Sequence, residues 1–558
     1  MHSTGRLRQQ VGLALLLSLF LSLCAFAQSN SGDVTGTVVD ASGAAIQAAI
    51  VTATNDATGV KSTVTANGDG IYRFTNLPIG AYSITAAAPG FNSAGLKNVA
   101  VDLNNTVTAN LALTVGGAST VVEVTDSSAV IDTTTAQLQT SFKQGQLIDL
   151  PTASNGSGIY NLTLLGAGVS SSGGNGQGFG PTVSGQRPDD NVFTLDGVSN
   201  QNHYDPAPLV YVSNEAVAEI SMLQNQFNPE FGGGSGGIFK TVVKSGGNSV
   251  HGSIYDYMQN RKLNAVDSLD WTQGLTSLPR YDNNHLGASI GGPILKNKLF
   301  YFGNFEYNPV GSSATPGTPI TAPTAAGYAA LGTVASTLSA TNLAVLQKYA
   351  GTAPANDAGT ISVSGATVPI GTISTISPSY TNHYDAVVSI DYNMSDKDQL
   401  RGRWIYNKAE GIDTGAQLPV FDVPSPNNNY FYSLSEFHNF SPTVQNEFRS
   451  SFSRNFNSLG VPNIKFPGLS VFPVIDIDEL GLIMGPDGPS GSIQNLFQAQ
   501  DNMSVTKGNH TFKFGYHFTD VILTNYFIQR VLGNYEYSST QQYLQDLTPD
   551  VLGERSAG

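Results

Sequence analysis

Gly233-Gly234-Ser235-Gly236-Gly237 spells G-x-S-x-G, the pattern that in a hydrolase lifts a serine nucleophile onto a sharp strand-to-helix turn. Here Asn-Pro-Glu-Phe precedes it and a β-branched run follows, so neither flank builds that elbow. The run reads instead as a glycine hinge. The eight histidines fall in no His-Glu-x-x-His or related zinc spacing, and no Gly-Lys-Ser or Gly-Lys-Thr closes a phosphate loop. Asn67 and Asp69 supply half of a calcium loop, but its other ligand positions are missing and a hairpin turn fits better. The residues therefore give no catalytic, metal or cofactor site, and the chain is expected not to be an enzyme.

Composition leaves little aqueous surface of the usual charged kind. Only 12% of the 558 residues are charged, glycine occurs 60 times and the formal net charge is −15. Residues 1 to 27 read as a signal peptide: Arg6 and Arg8 lead an apolar run from Val11 to Leu23, and Ala25-Phe26-Ala27 offers small residues for cleavage. Cys24, the only cysteine, follows Leu23, where a lipid-attachment signal needs a smaller residue. Cleavage after Ala27 leaves no cysteine, so disulfides cannot staple the mature fold. It also removes two arginines, making the chain more acidic still and nucleic acid an unlikely partner. No later segment has the eighteen or so consecutive apolar residues of a membrane helix, so any crossing must be made by strands. A mean hydropathy of −0.07 is compatible with that, because barrel strands alternate.

Residues 33 to 115 form short β-branched runs separated by turns, the signature of an all-β sandwich. The stretches GTVVDASGAAIQAAIVTATN and GDGIYRFTNLPIGAYSITAAAPGF resemble the carboxypeptidase regulatory-like domain, a small sandwich related to carbohydrate-binding folds. That likeness is specific for fold and poor for function.

Downstream, LIDLPTASNGSGIYNLTLLGAGV, VSGQRPDDNVFTLDGVSN and VAEISMLQNQFNPEFGGGSGGIFKTVVKSGGN follow in order. Together they resemble the plug domain of TonB-dependent outer-membrane receptors, with the nearest likeness to the Oar-like group. The matching positions are Gly185 and Arg187 in the small-Gly-x-Arg element, Leu195, Asp196 and Gly197 in the LDGV turn, and Glu230 and Gly232 in the Glu-x-Gly segment. The resemblance implies a plug over residues 126 to 247. It also implies a Ton box within residues 119 to 125, carried by Val121, Val122, Glu123, Val124 and Thr125, where TonB adds a strand from the periplasm. Taken alone the VVEV stretch is chemically adequate for strand addition but equally fits a linker strand.

From residue 249 to 558 the chain falls into nine strand-length alternating segments. Val444, Phe448, Phe452 and Phe456 share one parity with Asn446, Ser450 and Arg454, while Thr443, Gln445, Glu447, Arg449, Ser451, Ser453 and Asn455 fill the other, so one face suits lipid in part and the other suits water. Phe512, Phe514, Tyr516 and Phe518 repeat the pattern. Links alternate between long (261 to 281, 309 to 380, 408 to 428, 458 to 500) and short (293 to 298, 394 to 398, 441 to 442, 507 to 510). An up-and-down membrane barrel places the long ones outside the cell and the short ones in the periplasm. A plug needs a lumen of about 22 strands, so the chain is expected to be the amino-terminal portion of a longer receptor.

The expected fold is mainly β: a sandwich, a small α+β plug and an incomplete antiparallel transmembrane β-barrel. The expected function is an outer-membrane receptor, in contact with lipid, that admits a scarce extracellular ligand under TonB control. Siderophore, vitamin, saccharide and peptide all stay open as ligands. The alternative is a secreted or surface β-rich adhesin or carbohydrate-binding protein.

Overall fold

In the computed structural model, residues 31 to 552 are described, apart from 117–121, 124–137, 151–157, 172–178, 226–231, 267–277, 314–318 and a few shorter stretches. The signal peptide expected over residues 1 to 27 lies outside them. Strands dominate throughout.

The first unit comprises β1 (Gly32–Asp40), β2 (Ile50–Asn55), β3 (Lys61–Thr65), β4 (Ile71–Leu77), β5 (Gly80–Ala87), β6 (Ala94–Val101), β7 (Thr106–Thr108) and β8 (Leu111–Leu113). One sheet runs β4-β1-β7 with β8 also on β1. The other runs β3-β2-β5-β6 and ends on β9 (Val122–Glu123). Inward residues at every second position, among them Val34, Val38, Val51, Tyr72, Phe74 and Ile84, close a core between the sheets. The Asn67 side chain accepts hydrogen bonds from the Asp69 and Ile71 amides at 3.0 and 2.9 Å. That is an Asx-type turn, and it uses the oxygen that a calcium ion would need.

The second unit contains β10 (Leu138–Lys143), α1 (Gln144–Asp149), β11 (Val192–Leu195), β12 (Val198–Ser199), β13 (Val217–Asn225) and β14 (Ile238–Val243). Its sheet order is β10-β13-β14-β11-β12, and Phe142, Tyr160, Phe193, Ile220 and Phe239 fill its core. The glycine run, read from the sequence as a hinge, lies inside this domain. β14, which follows the run, is buried at every position and sits at the centre of the inner sheet. A Cβ on Gly236 would lie 2.7 Å from the Asn191 side-chain oxygen. The glycines thus permit a close backbone approach within one domain. A fully buried strand lacks the alternation that would have told it apart from its neighbours.

The third unit is one antiparallel sheet of nine strands in chain order: β15 (His251–Asn260), β16 (Tyr281–Leu295), β17 (Leu299–Ser313), β18 (Pro378–Asn393), β19 (Asp398–Asp413), β20 (Val423–Ser441), β21 (Val444–Leu459), β22 (Ser490–Lys507) and β23 (His510–Phe527). Its polarity is inverted relative to a soluble protein. Glu447, Arg449, Ser451, Ser453 and Asn455 of β21 are buried, and Gln494, Gln498 and Gln500 of β22 likewise, whereas Leu434, Phe448, Phe497, Phe514 and Phe518 are exposed. The sheet is open, with β15 and β23 each paired on one side only among the described residues.

Strands run further than the alternation alone indicated, so β22 begins at Ser490 within what read as a long link. The long links are also not bare excursions. Residues 320 to 373 hold three short strands and the helices Ala325–Thr333 and Ala340–Tyr349. They share one hydrophobic core with residues from 418 to 421, 472 to 484 and 537 to 544, including Leu346, Phe421, Phe472, Ile477 and Leu544. Tyr349, Phe421 and Phe472 meet with ring centroids 4.8 to 5.4 Å apart. These excursions therefore make one folded cap at the long-link end. The sandwich sits at the opposite end, where the Asn248 amide donates to Ala57 O at 2.9 Å and Asn297, in the short turn after β16, donates to the Asn248 side chain at 2.8 Å.

Candidate ligand and partner sites

The inner domain is fastened to the polar face of the nine-stranded sheet, and the fastening starts at a turn. Leu195 and Val198 pair across a two-residue hairpin in which Asp196 (φ 45°) and Gly197 (φ 80°) both take left-handed backbone, the geometry that Asp-Gly favours. One Asp196 carboxylate oxygen accepts the Val243 amide at 2.9 Å, tying β14 to the turn. The other accepts Arg403 Nε from β19 at 2.6 Å. Arg403 Nη1 also donates to Asp391 at 2.8 Å and Nη2 to Ser245 at 3.3 Å. All three charges are nearly out of water, so the ions depend on one another.

Beyond the turn, barrel amides act as a substitute strand. Gln498 donates to Ser199 O and accepts from Ser199 N, both at 2.9 Å. Gln494 donates to Gln201 O at 2.9 Å and accepts from His203 N at 2.7 Å, while Gln500 donates to Gly197 O at 2.9 Å. Asn407 of β19 grips Tyr211 in the same two-handed way, with both bonds at 2.9 Å. Residues 197 to 211 of the inner domain thus have backbone groups satisfied by side chains of the wall. Sequence reasoning identified Asp196 and Gly197 but missed Arg403, Asn407 and the three glutamines. Their only local signal is membership of the polar parity of a strand.

Toward the cap, a cavity of about 570 Å³ opens between the inner domain and the wall, lined by Tyr160, Phe179 and Tyr211 on one side and by Tyr257, His285, Glu306, Asn308, His383 and Asp385 on the other. His285 Nδ1 and Tyr255 OH bond the two oxygens of Glu306 at 2.8 and 2.9 Å, and Asn407 donates to Asp385 at 2.6 Å. Aromatic rings beside fixed amides and carboxylates can bind a polar ligand by stacking and directed hydrogen bonds. Asp398, Glu436 and His438 also lie close enough to share an ion, but His438 already bonds Asp398 at 2.6 Å.

The sandwich meets the inner domain through the turn at residues 102 to 105. Leu103 is fully buried there. Its amide donates to Glu219 on β13 at 3.3 Å and its carbonyl accepts from Gln139 at 3.0 Å. Lys143 pairs with Asp102 at 2.8 Å and Lys240 donates to Asn104 at 2.6 Å. Burial first, and then the nearby Asp102 carboxylate, push the Glu219 acid up to about 7. The folded state therefore holds this proton more tightly than the unfolded chain, whose value is near 4.5. The stabilisation is present at low pH and is lost as pH rises through that interval. Parent protein should melt a few degrees lower at about pH 8 than at about pH 5. Glu219→Gln, neutral throughout, should flatten that difference in the same thermal scans.

The remaining expected positions are spread out. Gly185 (φ 79°) forms a tight turn with Ser184 (φ 52°), and Arg187 and Gly232 are exposed. Val121, Val124, Thr125 and Glu230 lie outside the described residues. Val122 and Glu123 form β9, whose backbone runs parallel to β6.

Residues 242–554 match the family model described as an outer membrane beta barrel domain, and residues 33–114 match that of the carboxypeptidase regulatory-like domain. The TonB-dependent transporter Oar of Myxococcus xanthus is 27% identical over 306 residues, covering 54% of this chain and 29% of that relative. The chain therefore spans less than a third of the curated relative it matches. Among solved structures, the outer membrane transporter YddB of Escherichia coli aligns with TM-score 0.47 at 12% identity, over 69% of this chain and 48% of that one. The siderophore receptor PirA of Acinetobacter baumannii aligns with TM-score 0.43 at 13% identity, over 69% and 48%.

Proposed function

The chain belongs to the outer membrane beta barrel family, and on that footing we propose that it works as a TonB-dependent receptor whose inner domain is the plug. It resides in the outer membrane of a Gram-negative cell. The observation that carries the reading is the inverted polarity of the nine strands: the buried face is mostly polar, apart from Phe302, Val387, Ile405 and Phe431, which pack against the inner domain, whereas Phe448, Phe497, Phe514 and Phe518 are exposed on the outer one. A water-soluble body would bury those aromatics.

On this reading the cavity beneath the cap receives a small extracellular ligand, and the bonds from Arg403, Asn407 and the glutamines hold the plug until TonB draws on residues 121 to 125. Val122 and Glu123 support that role only through their extended backbone, and Gly185, Arg187, Glu230 and Gly232 through their resemblance to the plug pattern. The same geometry suits a saccharide, a peptide, a vitamin or a siderophore.

The test is made on the protein as its cell makes it. Extraction should require detergent, and the unheated band should migrate differently from the boiled one on a denaturing gel. Release into buffer as an ordinary soluble protein would support the adhesin reading and remove this one.

A further inference from the structure

The cavity beneath the cap holds an unbalanced charge. Glu306 of β17 and Asp385 of β18 both line it and stand directly opposite each other in the sheet. Like charges in that register repel, so the pair costs the fold some stability. What bonds them is a phenol, an imidazole and an amide: Tyr255 and His285 reach Glu306, and Asn407 reaches Asp385. Among the described residues no lysine or arginine comes within ion-pair distance of either acid. Lys408, the only one in the lining, is paired with Glu410 at 2.5 Å. The inner domain adds a third carboxylate, Asp149, together with the rings of Tyr160, Phe179 and Tyr211. Across β19, β20 and β21 the row of Glu306 and Asp385 continues as Asn407, Asn429 and Asn455.

We propose that this cavity selects a ligand bearing an ammonium or guanidinium group, which seats against Glu306 and Asp385 while its apolar part lies on the rings of the inner domain. The inference rests on the reading of the cavity as the ligand site, and it narrows the ligands left open there. An anionic ligand would meet three carboxylates and, among the described residues, no unpaired lysine or arginine. A neutral saccharide could use the asparagines, but would leave the two opposed acids without a counter-charge. A cation removes their repulsion, and that relief adds to its binding. A guanidinium fork fits a carboxylate with two parallel bonds, and rings beside it add cation–π attraction. At about 570 Å³ the space lies in the range of small-ligand pockets, large enough for a short basic peptide.

The test titrates the protein as its cell makes it, purified in detergent, with di-arginine amide, di-glutamate and maltose. Di-arginine should bind, and more weakly as salt is raised; the other two should not. Asp385→Asn keeps an acceptor for Asn407 and should weaken di-arginine binding at least about tenfold, and Glu306→Gln should do the same. Ligand-free Asp385→Asn protein should melt no lower than the parent, because the repulsion is gone. Equal binding by the parent and both variants would place di-arginine on the acidic surface at large and overturn the proposal. So would binding of maltose or di-glutamate in its stead, or a lower melting point for ligand-free Asp385→Asn. Binding of no probe by protein whose unheated gel band still migrates differently would overturn the cation and leave the receptor reading intact. Loss of that migration difference in the parent would remove the receptor reading, and this inference with it.

Discussion

Arg403→Ala should loosen the inner domain from the barrel wall by about 3–5 kcal/mol, the usual cost of removing one member of a buried ionic group. The guanidinium bonds Asp196 at 2.6 Å and Asp391 at 2.8 Å, and without it both carboxylates lose that partner in a nearly dry space. The effect should be felt beyond that contact, because Asp196 also holds the Val243 amide and so links the turn to the inner sheet. The measurement is the urea concentration at which the inner domain becomes open to protease while the barrel band persists. Asp196→Asn in the Arg403→Ala background should recover part of the loss, since it removes one stranded charge. An unchanged midpoint for Arg403→Ala would mean that the backbone grips of Gln494, Gln498 and Asn407 suffice alone.

Leu434→Arg should cost about 2–4 kcal/mol of barrel stability in lipid, the range for a cation on the hydrocarbon-facing side near the midplane. Leu434 is 46% exposed, midway along β20 between Gly402 and Ser450. It borders an apolar outer surface formed with Trp404, Tyr432, Phe452 and Phe497. On a wet surface the same change would fall within about 0.5 kcal/mol. Val461→Arg is the matched control, because Val461 is 41% exposed but lies in the cap segment, where water is expected. Urea titration of the heat-modifiable band in lipid vesicles reads both. Equal effects for the two variants would show that the outer face of β20 does not meet hydrocarbon.

The barrel was legible because period two survives in a strand with one oily and one wet face: Phe448, Phe452 and Phe456 against Glu447, Ser451 and Asn455 gave its orientation without coordinates. The LDGV turn was legible for a local reason, since Asp-Gly suits the two left-handed positions of a tight hairpin. The grips on the backbone of the inner domain were not. Gln498 meets Ser199 across almost three hundred residues, and in sequence it is only another polar side chain of the correct parity. The Gly-rich run misled because β14 is covered on both faces and offers no alternation. The cap escaped notice through its low-complexity Ala, Thr, Gly and Ser composition. Thr324 and Ser339, which accept the Gly327 and Asn342 amides at 3.1 and 3.3 Å, were capping signals that could have revealed its two helices.

The shared core of the cap bears on how such a protein diversifies. Fingers that pack separately can each be swapped or lengthened at little cost, whereas here Asn342 bonds the Tyr543 carbonyl at 2.7 Å and Thr321 the Leu480 carbonyl at 2.8 Å. Grafting one excursion from a relative would therefore break interlocks with the rest. The heritable unit of the outer mouth is the whole lid, and new specificities should arise from replacements that travel together.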